Sequence, residues 1–235
     1  MCAAENGYDP RDSRRAAMDP HDFVRAFLAC YFGFVAVHYT STLMAAHART
    51  GASHADVGQR GTTQYVAHNV FHIFRAAILV LCCARVLFPG IDQYVLPLPG
   101  DGIATVELSG AALMLGSFAL ISFVHGFLGP DWRSGVPQSG PLRLIETGPY
   151  SVTRNPMFIG VVMGQLGFLL AFPSVFTLVC LVIGATVVIQ QTRYEESELE
   201  RVFGATYRAY CERTPRWLLR PGNRSDPAEP ISDKS

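Results

Sequence analysis

Two short polar stretches interrupt a chain of long apolar runs: GPYSVTRNPMFIG at 148–160 and YEESELERVFG at 194–204. In the first, Asn155 suits a helix N-cap, because its side-chain oxygen can accept a hydrogen bond from an unpaired N–H of the first turn. Pro156 follows as the first helical residue, where its fixed φ helps and its missing N–H costs nothing. It also biases Asn155 toward extended backbone. The helix start presents free N–H groups and the positive end of the helix dipole, and Arg154 adds a full charge beside them. That combination can bind an anion. It equally describes an ordinary helix start with Arg154 among lipid headgroups, since positive charge is common at cytoplasmic helix ends.

The second stretch carries Glu195, Glu196, Glu198 and Glu200 just beyond an apolar run. Leu199, Phe203, Tyr207 and Tyr210 follow at helical spacing, with Arg201, Arg208 and Glu212 off that stripe, which describes an amphipathic interfacial helix bent at Gly204. Pro215 and Trp217 end it near the headgroups. An anion-attracting helix start and a carboxylate pair can therefore meet in one pocket suited to a zwitterion. The alternative is a solvated helix face whose glutamates pair with Arg193 and Arg201.

The elements that must position these stretches follow from hydropathy. Only 16% of the 235 residues are charged, against about 25% in a typical soluble domain. The long apolar runs predict an all-α, polytopic helical membrane protein with about five transmembrane helices. Phe23 to about Ala46, Tyr65 to Phe88 and Glu107 to Leu128 are each long enough to span a hydrocarbon core of roughly 30 Å. Gly110 and Gly116 offer close helix contact in the third. Pro156–Phe172 and Ser174–Gln190 are shorter runs of 17 residues joined at Pro173, about 25 Å each at 1.5 Å per residue. They read as a tight hairpin whose second helix continues through the acidic stretch.

The organisation expected is a polar flexible arm over 1–22, three transmembrane helices with their loops over 23–128, a catalytic region over 129–219 and a disordered tail over 220–235. The arm has no apolar core of a cleavable signal peptide, so the first span acts as an uncleaved anchor. The 129–155 loop has three Arg and the C-terminal part seven Arg and one Lys, while 89–106 has none. The positive-inside rule puts the first two on the cytoplasmic side, in the cell (inner) membrane.

Net charge is zero with His neutral, which leaves no basic footprint for nucleic acid. No two of the six cysteines have C-x-x-C spacing, so no metal site is expected. His68, His72 and Arg75 share one face of the second span and should look into the bundle or a wet cavity, because charge facing lipid is costly.

The combination TGPYSVTRNPMFIG, two short apolar helices, and YEESELERVFGATYRAYCERTPRWL resembles the isoprenylcysteine carboxyl methyltransferase and phospholipid methyltransferase superfamily, over roughly residues 128–219. The resemblance implies a membrane enzyme that transfers a methyl group from S-adenosylmethionine to a lipophilic or small acceptor, such as an isoprenylcysteine-type carboxylate, or to a membrane lipid. Carried over by position, the cofactor-binding residues are Gly148, Tyr150, Arg154, Asn155, Pro156, Phe158, Glu195 and Glu196, with Arg154 and Glu195 in catalytic roles. Asn155 stands where the carboxyl methyltransferases have His, and Phe158 where Tyr is usual, so a hydroxyl contact would be missing there. Two other readings remain open at this stage. One is a nicotinamide-dependent membrane reductase of the steroid-reductase type, and the other is a non-enzymatic membrane subunit or transporter.

Overall fold

The computed structural model describes residues 19–50, 61, 63–129 and 143–218. The expected polar arm up to residue 18, most of the 129–147 loop with Trp132, the tail from 219, Cys2 and the side chain of His68 lie outside this description. The described chain forms α1 (Pro20–Thr50), α2 (Thr63–Leu87), a 3-10 helix (Pro89–Val95), α3 (Ala104–Leu128), a single turn α4 (Pro149–Val152), α5 (Pro156–Ala171), α6 (Val175–Phe203) and α7 (Ala205–Arg213). Among the described residues the one β feature is an isolated bridge between Pro97 and Ser174. The all-α expectation holds. Residues Pro20–Ala45 of α1, α3 and α6 are long and apolar enough to cross a membrane, and α5 is apolar but shorter. Phe34, Val37, Leu115, Phe123 and Val182 are exposed on the surface of these helices, as is Val80 on α2. Large side chains of this kind suit lipid, the one solvent in which such exposure carries no penalty.

The five long helices run in alternating directions. His21 at the start of α1 meets Glu107 at the start of α3, with Nδ1 2.9 Å from Oε1. Arg85, near the end of α2, lies over the ring of Phe172 just past α5, 3.3 Å from its centroid. Starts of α1, α3 and α6 thus share one end of the bundle with the ends of α2 and α5. The same Arg85 is 2% exposed and donates through Nε to Asp92 at 2.6 Å, while Arg25 donates to the other oxygen at 3.0 Å. Burial alone would push the Asp92 carboxyl up, but its hydrogen bonds and charge interactions with Arg85 and Arg25 hold it below the usual carboxylate range. That compensation is what lets an arginine be buried at all.

Between the ends, Leu28, Cys82, Met114, Phe168 and Phe172 form the apolar core, with Phe32 edge-on to Phe168 at 4.9 Å. The closest packing joins α3 to α5. A Cβ on Gly110 would lie 2.6 Å from the Gly167 carbonyl oxygen and run into the Ala171 nitrogen, and one on Gly160 would lie 2.7 Å from Ile121. Ser117 Oγ donates to the Gly160 carbonyl at 2.7 Å across the same seam. Gly116, expected to make such a contact, has no atom near its Cβ position; it faces away from α5, six residues and more than one and a half turns from Gly110.

The hairpin turns at Pro173 as expected. Ser174 caps α6 in a reciprocal box with Thr177, each backbone N–H reaching the other side chain at 3.2 Å. Gly204, at φ 51°, ends α6 and starts α7, which is the bend expected there. Gly110→Val should lower the thermal unfolding midpoint of the detergent-solubilised protein, by an overpacking cost of about 1–3 kcal/mol. A wild-type midpoint would mean that α3 and α5 do not meet at backbone contact.

Candidate functional site

The far end of the bundle collects both polar stretches. Gly148 has φ 59°, and a Cβ there would collide with the ring of Phe127 at the end of α3. Only glycine meets both constraints without strain. The single turn α4 follows, with Pro149 in its first turn, where the sequence reading had only a polar loop. The Tyr150 carbonyl accepts from the Tyr210 hydroxyl of α7 at 2.6 Å. Thr153, buried, donates to the Arg216 carbonyl at 3.0 Å and accepts from the Asn155 N–H at 3.3 Å. The Arg154 N–H donates to the Pro215 carbonyl at 2.9 Å. The approach to α5 is therefore stitched to the segment after α7, with buried Tyr207 and Tyr210 between them.

Asn155 holds the N-cap position of α5, with Pro156 in the first turn, but its side chain makes no cap hydrogen bond. Its Nδ2 donates instead to the Arg216 carbonyl at 3.1 Å and approaches Glu196 Oε1 at 3.4 Å. The capping expectation is corrected by burial. At 7% exposure the amide needs acceptors for its own donors, and a carbonyl and a carboxylate lie within reach.

Glu195 and Glu196 point in different directions, as neighbours on a helix must. Glu196 is a hub: Arg216 donates to it from Nη2 at 2.6 Å and Nε at 3.0 Å, and Arg154 Nη2 lies 3.4 Å from its Oε1. Glu195 accepts from Gln191 Nε2 at 2.8 Å and faces a cavity of about 810 Å³ that also takes in Tyr150, Arg154, Asn155 and Phe158. That volume lies within the usual range for small-molecule sites. The pairing of acids with basic neighbours on the helix surface does occur, but at Glu198 with Arg201 (2.7 Å), one turn beyond. Burial, with Glu195 and Tyr210 nearby, pushes the Tyr150 phenol well above its usual range, so it acts as a neutral hydrogen-bonding ring.

Several polar atoms here are buried without a hydrogen-bond partner among the described residues: Arg154 Nε, Thr192 Oγ1, Tyr207 Oη and, deeper in the cavity, Ser122 Oγ and Gln165 Oε1. Buried groups of this kind are costly unless something supplies the missing partner. A zwitterionic ligand would do so at Arg154 with its anion, while its cation would meet Glu195, which already accepts from Gln191. A sulfonium would sit well near the Tyr150 and Phe158 rings.

The structure thus brings Tyr150, Arg154, Asn155, Phe158 and Glu195 to one cavity, with Glu196 and buried Pro156 behind them and Gly148 setting the turn. Sequence reasoning missed Arg216 and Gln165. The first sits in the TPRWL segment with no periodicity to mark it. The second is the one polar side chain in the apolar run from 156 to 172, and that isolation was a usable signal.

Residues 106–206 match the family model for phospholipid methyltransferases. The match runs from α3 into α7, includes both polar stretches, and leaves out α1 and α2. No curated protein and no solved structure matches the chain. Arg216→Ala should loosen the clasp between α5 and α7 by about 0.5–1 kcal/mol, because its side chain is half exposed and water screens the pair. Hydrogen exchange should speed up over 205–216, and unchanged protection there would show that the Glu196 hub does not hold α7.

Proposed function

On the match of residues 106–206 to the family model for phospholipid methyltransferases, we propose that the chain is a membrane methyltransferase that transfers a methyl group from S-adenosylmethionine to a lipophilic or small acceptor. The observation that carries the reading is the meeting of Arg154 and Glu195 on one cavity inside the matched region, with Arg154 Nε buried and without a partner among the described residues.

S-Adenosylmethionine, when bound, supplies an electrophilic methyl group on its sulfonium. Arg154 and the start of α5 would hold its carboxylate. Glu195, oriented by Gln191, would accept hydrogen bonds from its ammonium or ribose hydroxyls. Tyr150 and Phe158 would offer ring faces to the sulfonium, and Phe158 does so without the hydroxyl usual at that position. Glu196 touches Arg154, Asn155 and Arg216 and is a positioning residue. Methyl transfer is an in-line displacement, so the chain's contribution is to align the partners and exclude water. A carboxylate, amine or thiolate acceptor that arrives deprotonated needs no general base. The acceptor is read as membrane-borne, with an isoprenylcysteine-type carboxylate as one candidate, and the site as opening on the cytoplasmic side.

A dinucleotide reductase would need further cations for its phosphates, and at this end of the cavity Arg154 is the one arginine among the described lining residues. Calorimetry on the detergent-purified protein should show S-adenosylhomocysteine binding and no NADPH binding. Arg154→Ala and Glu195→Gln should each weaken adenosyl binding about tenfold or more, the equivalent of 1.4 kcal/mol. Binding of NADPH alone would overturn the reading, and wild-type affinity in both variants would take those residues out of the site.

A further inference from the structure

The end of the bundle away from the cofactor pocket gathers a second polar cluster. His21 from the start of α1, Asp101 from the turn before α3 and Glu107 from the first turn of α3 each offer a ligand atom, and these atoms all lie within 4.8 Å of one another. His21 Nδ1 is 2.9 and 3.0 Å from the two Glu107 oxygens. The Gly102 N–H donates to Oε1 at 2.7 Å, so the imidazole is the one partner of Oε2 among the described residues. The Glu107 side chain is 1% exposed and that of His21 28%, which leaves a path into the cluster. One imidazole and two carboxylates that converge from three segments are a donor set for a first-row divalent ion. Cysteine spacing, on which no metal site was expected, does not bear on them.

Two independent features point to a ligand. Asp101 Oδ1 is buried with no hydrogen-bond partner among the described residues. A carboxylate oxygen in that position is costly, and a cation relieves the cost. The nearby guanidiniums do not supply it, because Arg25 and Arg85 bond to Asp22 and Asp92. The second feature lies behind the histidine. Its other nitrogen, Nε2, is 3.7 Å from Asp92 Oδ2, and Asp92 is itself fixed by Arg85 Nε at 2.6 Å and Arg25 Nη2 at 3.0 Å. A metal-bound histidine is as a rule oriented by a carboxylate at its second nitrogen, and such outer partners are hydrogen-bonded in turn. The buried arginine pair thus holds Asp92 where it can set the His21 ring.

We propose that His21, Asp101 and Glu107 bind a divalent transition-metal ion of the Zn²⁺ type, with Asp92 as the residue that orients the imidazole. The ion pins the start of α1 to the start of α3, at the opposite end from Arg154 and Glu195. The site is independent of the methyl-transfer reading. α1 lies outside the matched family region, so a ligand set that needs His21 is a property of this chain's own N-terminal part.

The test uses the full-length protein, purified in detergent without a polyhistidine tag and stripped with EDTA. Calorimetry should show ZnCl₂ binding, with CaCl₂ about tenfold or more weaker, because Ca²⁺ takes six to eight oxygen ligands. Zn²⁺ should also raise the thermal unfolding midpoint of the stripped protein. Asp101→Asn and His21→Gln should each weaken Zn²⁺ binding by at least the roughly tenfold that loss of an outer partner alone costs, and should remove the thermal shift. Absence of Zn²⁺ binding in wild type overturns the proposal and leaves His21 and Glu107 as a plain hydrogen-bonded pair. Equal affinity for Ca²⁺ overturns it as well, as does wild-type Zn²⁺ affinity in either folded variant. Helical circular dichroism and a single size-exclusion peak report folding. If neither variant folds, copper–ascorbate oxidation of wild type, mapped by mass spectrometry, decides: oxidation at His21 that excess Zn²⁺ suppresses supports the site, and oxidation confined to other residues overturns it.

Discussion

A Cβ atom at Gly110 would stand 2.6 Å from the carbonyl oxygen of Gly167, and the site end of the molecule inherits that constraint. At 16 residues, α5 is the shortest of the long helices and has little freedom to slide. Backbone contact with α3 at Gly110, Gly160 and Gly167, and the Ser117 bond to the Gly160 carbonyl, fix its depth and rotation. Fixed depth sets where the N-terminus emerges, and so where Arg154 stands. Fixed rotation points Phe158 and Gln165 into the same cavity, about two turns apart. Small residues at a helix seam are the usual means of such approach where the surrounding solvent offers no hydrophobic drive between helices.

The second constraint is a division of labour between two adjacent glutamates. Glu196 ties the approach to α5 to the segment beyond α7 through Arg154, Asn155 and Arg216, and Tyr210 closes the same clasp by its bond to the Tyr150 carbonyl. Glu195, one position earlier, is left to the cavity with Gln191 as its partner. A helix turns about 100° per residue, so neighbouring carboxylates can serve structure and ligand at once. This also explains why the acidic patch is not simply a solvated face: only Glu198 and Glu200, further along, take that role, paired with Arg201 and Arg208.

Much of this was legible from residue types. The start at Pro156, the turn at Pro173 and the bend at Gly204 were readable because proline and glycine act locally, through their own backbone limits. The Tyr207–Tyr210 stripe was readable from period. The fate of Asn155 was not, because capping and lateral donation are both within an asparagine's means, and tertiary neighbours decided between them. Arg216 could not be read because it acts across 20 residues from Glu196, after a chain reversal. α4 was missed because a single turn leaves no periodicity. Gly110 and Gly116 looked alike in sequence and differ only in which face meets α5.

The central claim is that the polar stretches around Arg154 and Glu195 form one cofactor pocket. The most direct measurement is photolabelling of the detergent-purified protein with an azido-adenosyl analogue of S-adenosylmethionine, followed by peptide mapping. The account predicts label within 148–158 or 187–196, abolished by excess S-adenosylhomocysteine. Label confined to peptides of α1 or the 89–103 turn, or label that the competitor does not displace, would contradict it.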